Sequence, residues 1–70
     1  MLPLTLANVD EEYTIKKVGG SPEVKKHLEN LGFNVGGEVS LVSMLSGNVI
    51  VKVKESRVAL SDELARKILV

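Results

Sequence analysis

The sequence contains no cysteine and no tryptophan, and it has one tyrosine, one phenylalanine and one histidine. Without cysteine there is no disulfide scaffold, no thiolate zinc site, no iron–sulfur cluster and no cysteine nucleophile. Any core must stand on apolar packing alone. Nine basic side chains balance nine acidic ones for a formal charge of zero, so no global field draws the chain toward nucleic acid or an anionic membrane. No apolar run approaches the roughly 18 residues of a membrane span. Met1 to Val9, though apolar, lacks a basic n-region and is too short for a secretory signal. The expected location is therefore cytoplasmic. No block of like charge exceeds Asp10-Glu11-Glu12, so no disordered tail is expected. A chain of 70 residues, 44% of them hydrophobic, is expected to form a single domain over residues 1–70. Its margin is narrow, because a chain this short buries only about 60% of the surface its unfolded form exposes.

Within that frame, Tyr13 to Val18 is rich in β-branched and aromatic residues and predicts a first strand, stopped by Gly19-Gly20. Ser21 followed by Pro22 predicts an N-cap and the first residue of a helix. Val24, Leu28 and Leu31 recur at i, i+4 and i+7, which gives that helix one apolar stripe. Gly32 predicts its end. A left-handed Gly32 would let Phe33 fold back on Leu28. After the Gly36-Gly37 turn, Glu38 to Met44 alternates, with Val39 and Leu41 on one face and Ser40, Val42 and Met44 on the other. Ser46-Gly47-Asn48 is turn chemistry, and Val49, Val51 and Val53 then face one way while Ile50, Lys52 and Lys54 face the other. A tight connection at Glu55-Ser56 leads into a fourth strand carrying Val58 and Leu60. Ser61 caps a short helix with Leu64, Ala65 and Ile68 on its apolar side, and Leu69-Val70 closes the chain. The whole predicts five short strands around one core of valines and leucines. This is a mainly β fold with one or two short helices, arranged as a small partly open β-barrel.

Catalytic and ligand-binding chemistry is sparse. An enzyme site needs a nucleophile or an acid and a base held together, and His27, the one histidine, borders the apolar stripe as a partly buried helix residue. The Asp10-Glu11-Glu12 run reads as a solvated acidic turn, so no cofactor and no directly bound metal is expected. Gly19-Gly20-Ser21 ahead of a helix could hold an anion, but no phosphate-loop pattern accompanies it and a capped helix start accounts for it. Lys16-Lys17, Lys25-Lys26 and Lys52 with Lys54 could lie along a nucleic acid, and a small nucleic-acid-binding β-barrel is the alternative function. Neutrality and the shortage of stacking aromatics weigh against it. What remains is apolar surface. If Val49, Val51 and Val53 face inward, Ile50 faces outward on the same side as Val42 and Met44, beside Leu45. These residues would form a docking or weak self-association surface, unless the terminal helix covers the same face.

Three segments taken together resemble the FeoA family, the small cytosolic partner of the bacterial ferrous iron transporter FeoB. Leu31-Gly32-Phe33-Asn34-Val35-Gly36-Gly37-Glu38-Val39 is similar to the family's leucine-glycine corner, turn and strand. Val49-Ile50-Val51-Lys52-Val53 followed by Arg57-Val58-Ala59-Leu60 is similar to its hairpin and Ala-Leu ending. Ala65 with Ile68-Leu69-Val70 is similar to its closing helix and terminus. The chain departs from the pattern at Val35, where proline is common, at Glu55, where a turn glycine is frequent, and at Val9-Asp10-Glu11, which stands in place of a Pro-Gly turn. The resemblance implies an SH3-like β-barrel that serves as a non-enzymatic accessory or regulatory module for the cytosolic GTPase part of an FeoB-type transporter. It also places a transporter contact near the helix corner, which makes Leu28 and Phe33 a second candidate contact pair.

Overall fold

The computed structural model describes all 70 residues. A turn of 3-10 helix, Leu4–Leu6, is followed by β1 (Glu12–Thr14), β2 (Lys17–Val18), α1 (Pro22–Asn30), β3 (Glu38–Leu45), β4 (Asn48–Val53), β5 (Ser56–Ser61), α2 (Asp62–Ala65) and β6 (Ile68–Leu69). β1, β3, β4 and β5 form a four-stranded antiparallel sheet in that order, and β2 pairs with β6 in a second sheet. β5 and β1 stay unpaired with each other, so the fold is a mainly β, SH3-like barrel left partly open.

The helices start and stop where local chemistry dictates. Ser21 Oγ accepts a hydrogen bond from Val24 N–H at 3.3 Å, with Pro22 at the first helical position where no amide is needed. At the other end Gly32 adopts φ +106°. Its N–H donates to Glu29 O and the Phe33 N–H donates to Leu28 O, both at 2.9 Å. That pair of bonds is the Schellman arrangement, and the accompanying apolar contact is supplied by Leu28 and Phe33, both fully buried in the core.

The core is a single cluster of fifteen buried hydrophobic residues. Val39 and Leu41 of β3, Val49, Val51 and Val53 of β4, and Leu60 of β5 line the inner face of the larger sheet. Leu4, Leu28, Phe33 and Ala65 pack from the connecting elements and Ile68 from β6. No buried side-chain nitrogen or oxygen lacks a hydrogen-bond partner.

Four expectations are corrected. Tyr13 to Val18 is two strands: Ile15 N–H donates to Gly37 O, Gly36 N–H donates to Ile15 O, and Lys16 N–H then donates to Leu69 O. The chain thus changes partner at Ile15, and there are six strands. The β4–β5 turn is Lys54-Glu55, with Val53 paired to Ser56 and Lys54 taking φ +57°. The terminal helix ends at Ala65, and Ile68 belongs to β6. Gly19 N–H donates to Lys67 O at 2.7 Å, and this pairing with the β2 segment competes successfully with another helical turn. His27 is exposed, since only Leu28 of α1 is fully buried.

Candidate protein-interaction site

Pairing register determines which side chains of β3 face outward. Leu41 pairs with Val51, but the next pair is Ser43 with Ile50, so β3 carries one extra residue, a bulge at Val42. Beyond the bulge the alternation is inverted. Met44 pairs with Val49, which is fully buried, so Met44 lies on the inner side of the sheet, past the end of the core and 52% exposed. This corrects its placement beside Ile50. Ile50 does face outward, half-buried, between Ser43 and Ala59, with half-buried Val42 adjoining it on the bulge. Leu45 pairs with Asn48 across a two-residue turn whose residues Ser46 and Gly47 both have positive φ.

The terminal helix does not cover this outer face. It delivers Ala65 into the core, and Asp62 N–H donates to Gly47 O at 2.9 Å, which ties α2 to the β3–β4 turn. α2 also packs against the 3-10 turn. The 3-10 turn, α2 and the β3–β4 turn therefore meet at one end of the barrel, and that end presents Leu6 (72% exposed), Met44 and Leu45 (72%). Val9, bridged to Leu41 beside the bulge, is a further exposed apolar residue. Leu6 and Val9 were not among the residues expected from sequence. The signal for them lies in the apolar stretch Met1 to Val9, which has more large side chains than the core takes in. Leu28 and Phe33 are corrected in the opposite direction, because both are fully buried and offer no surface to a partner.

Two shallow concavities divide the lysines. One, of about 410 Å³, lies against α1 and is lined by Lys16, Lys17, Lys25, Glu29, Asn34 and Val35. The other, of about 160 Å³, holds Glu12, Glu38, Val39, Ser40, Lys52 and Lys54 on the outer face of the larger sheet. Each therefore mixes both signs of charge. In the second, the Glu12 carboxylate accepts a hydrogen bond from protonated Glu38 and repels its ionised form, which holds Glu38 above the usual carboxylate range. No three His, Cys, Asp or Glu side chains gather as a candidate metal site. At Gly20, φ is +95° and an added Cβ would lie 2.9 Å from Val24 Cγ1. The glycine there gives close approach to the capped helix.

The FeoA domain family matches residues 2–70. The chain belongs to the FeoA family. Among relatives of this FeoA chain is "Putative Fe(2+) transport protein A" of Methanocaldococcus jannaschii, 33% identical over 70 residues, spanning all of this chain and 85% of the relative. Among solved structures, an iron uptake regulatory protein (FeoA) superposes with a TM-score of 0.85 at 20% identity, covering 96% of this chain and 91% of the other. The family is one of ferrous iron transport accessory domains. The leucine-glycine corner that carries the resemblance is the Gly32 cap described above. No helix of this FeoA chain is long and apolar enough to cross a membrane.

Proposed function

We propose that this FeoA-family chain is a non-enzymatic regulatory module of ferrous iron transport, working in the cytoplasm by contact with the cytosolic GTPase part of an FeoB-type transporter. The contact is assigned to the barrel end that carries Leu6, Met44 and Leu45, flanked by Val42 and Ile50. The observation behind this reading is the exposure of these large apolar side chains where three elements meet. Covering apolar surface favours association by about 25 cal/mol per Å² before the costs of docking are counted, and adjacent exposed apolar side chains mark contact sites in small soluble domains. Family membership supplies the transport context.

The test is a pull-down of the transporter's cytosolic domain with the full chain and with a Met44→Ser, Leu45→Ser double variant. Retention by the wild type and loss by a variant of unchanged melting temperature supports the contact. Absence of binding, together with unaltered GTP hydrolysis and iron uptake on deletion of the gene, removes the proposal. Retention by the double variant moves the contact elsewhere on the chain.

A further inference from the structure

We propose that the open edge of β5 is a strand-addition site, and that its occupant is an extended partner segment bearing a carboxylate. β5 is the terminal strand of the larger sheet, and its only partner is β4. The two-residue Lys54-Glu55 turn makes Val53 and Ser56 a hydrogen-bonded pair. Antiparallel alternation then points the backbone groups of Ser56, Val58 and Leu60 toward β4, and those of Arg57 and Ala59 away from it. Neither Arg57 nor Ala59 takes part in any backbone hydrogen bond outside the ladders, and both side chains are exposed. The edge thus offers two N–H and two C=O groups to an incoming strand.

Natural edges are usually shortened, bulged, interrupted by proline or covered. The other edges here follow that pattern. β1 has three residues, and the β2–β6 sheet is flanked by Leu2, whose N–H donates to Val70 O and whose carbonyl accepts from Val70 N–H, both at 2.8 Å. β5 by contrast runs six residues in unbroken register, without proline, and Ala59 permits close backbone approach.

The outer-face rows specify what fits. One row runs Glu12, Ser40, Lys52, Arg57, and the next runs Ser43 with Val42, Ile50, Ala59. An added strand extends both rows. The residue beside Arg57 meets a cation with Lys52 behind it, which selects a carboxylate, and the residue beside Ala59 meets Ile50, which selects an apolar side chain. The two positions are two residues apart on one face of the incoming strand. A second copy of this chain is a poor occupant: its β5, Ser56-Arg57-Val58-Ala59-Leu60-Ser61, carries no carboxylate, and its other free edge, β1, has Glu12 but only three residues and Thr14 where an apolar side chain is called for. Recognition of this kind takes affinity from main-chain bonds and selectivity from alternate side chains. It does not require that the partner be the transporter GTPase.

The test uses the full chain, a displayed random-peptide library and amide hydrogen exchange. Selected peptides are expected to share an acidic and an apolar residue at i and i+2. In the free chain the Arg57 and Ala59 amides should exchange fast beside slow Val58 and Leu60, and peptide should slow the first two. Arg57→Glu should weaken binding about tenfold, the scale of a rim ion pair turned repulsive. Ala59→Pro, which removes an N–H the fold does not use, should abolish it. If Ala59→Pro fails to fold, Arg57→Glu and the exchange pattern still decide. No enriched peptide, or peptides that leave the Arg57 and Ala59 amides unprotected, overturns the proposal. Protection that grows with protein concentration and needs no peptide assigns the edge to a second copy and also overturns it.

Discussion

Replacing Gly32 with valine tests the helix corner on which the barrel is built. Gly32 sits at φ +106°, and an added Cβ would come no closer than 3.6 Å to Val53 Cγ2 and 3.8 Å to the Lys54 side chain. Those are ordinary contacts, so the cost is conformational rather than a clash at Cβ. A non-glycine residue held in such a region costs about 1–3 kcal/mol, and a β-branched one lies toward the upper end. At 0.05–0.15 kcal/mol per residue, a 70-residue domain has roughly 4–10 kcal/mol in total, so the substitution removes a large share. Since each 1 kcal/mol moves the midpoint of a domain this size by about 4–8 °C, Gly32→Val should melt roughly 5–20 °C below the wild type by circular dichroism. Gly32→Asn should lose less, because asparagine tolerates positive φ better. The Phe33 amide, which donates to Leu28 O, should exchange faster in the valine variant. A valine variant that melts with the wild type, or an asparagine variant that is worse than valine, would refute the left-handed corner.

Three further outcomes follow from the same packing and charge. Phe33→Ala empties the largest fully buried side chain and should cost about 3–5 kcal/mol, leaving a substantial unfolded fraction in a denaturant titration extrapolated to water. Ser21→Ala removes the hydroxyl that accepts from Val24 N–H and should cost about 1 kcal/mol; no change in the urea midpoint would mean the cap contributes nothing. Glu12 raises the Glu38 pKa, so the folded chain binds that proton more tightly than the unfolded chain, and this pair's contribution to stability falls as pH rises from the ordinary carboxylate range through the raised value. Glu38→Gln should therefore be more stable than the wild type above that window and equal to it below, as read by melts across pH; a difference that persists at low pH contradicts the pairing.

Local chemistry was readable where one residue determines one geometry. Ser21-Pro22 and Gly32 stand as expected, because cap energies depend on neighbours in sequence, and the Ser46-Gly47-Asn48 turn is present but narrower, with Asn48 the first residue of β4. The inward valines of β4 were equally legible, since a period of two fixes their face once the strand exists. The misplacements came from non-local pairing. Nothing near Ile15 announces that its two sides bond to different sheets, and Ile68 lies outside the helix in a pairing with Val18, fifty residues earlier in the chain. The Val42 bulge turns Met44 to the other face through one extra residue opposite β4, and the only local trace of it is the apolar pair Leu41-Val42, where the apolar parity of β3 shifts by one. The candidate surface was therefore half visible. Ile50 lies outward as the pattern requires, Met44 does not, and Leu6 is brought to the site by the packing of the 3-10 turn on α2, which no local pattern encodes.

Net neutrality does not hold locally across the sheet. The outer face carries Glu12 and Glu38 toward its β1 side, Lys52 and Lys54 on and just beyond β4, and Arg57 on the β5 edge. From β1 to β5 is three strand spacings, about 14 Å at roughly 4.8 Å each. The Debye length at physiological ionic strength is about 8 Å, so a charge arriving at β5 is screened from Glu12 on β1 and largely from Glu38 on β3, two spacings or about 10 Å away, while Lys52 is one spacing from Arg57. Around Arg57 the β5 edge is cationic to an incoming segment, with Glu55 before the strand and Asp62-Glu63 after it, although the chain as a whole has no charge. The same screening limits long-range steering. Binding at β5 should weaken with added salt far less steeply than binding to a polyanion, where each phosphate contact contributes close to one power of salt concentration. A steep salt dependence of partner binding would place the contact on the Lys16, Lys17 and Lys25 concavity or on nucleic acid, and not on this edge.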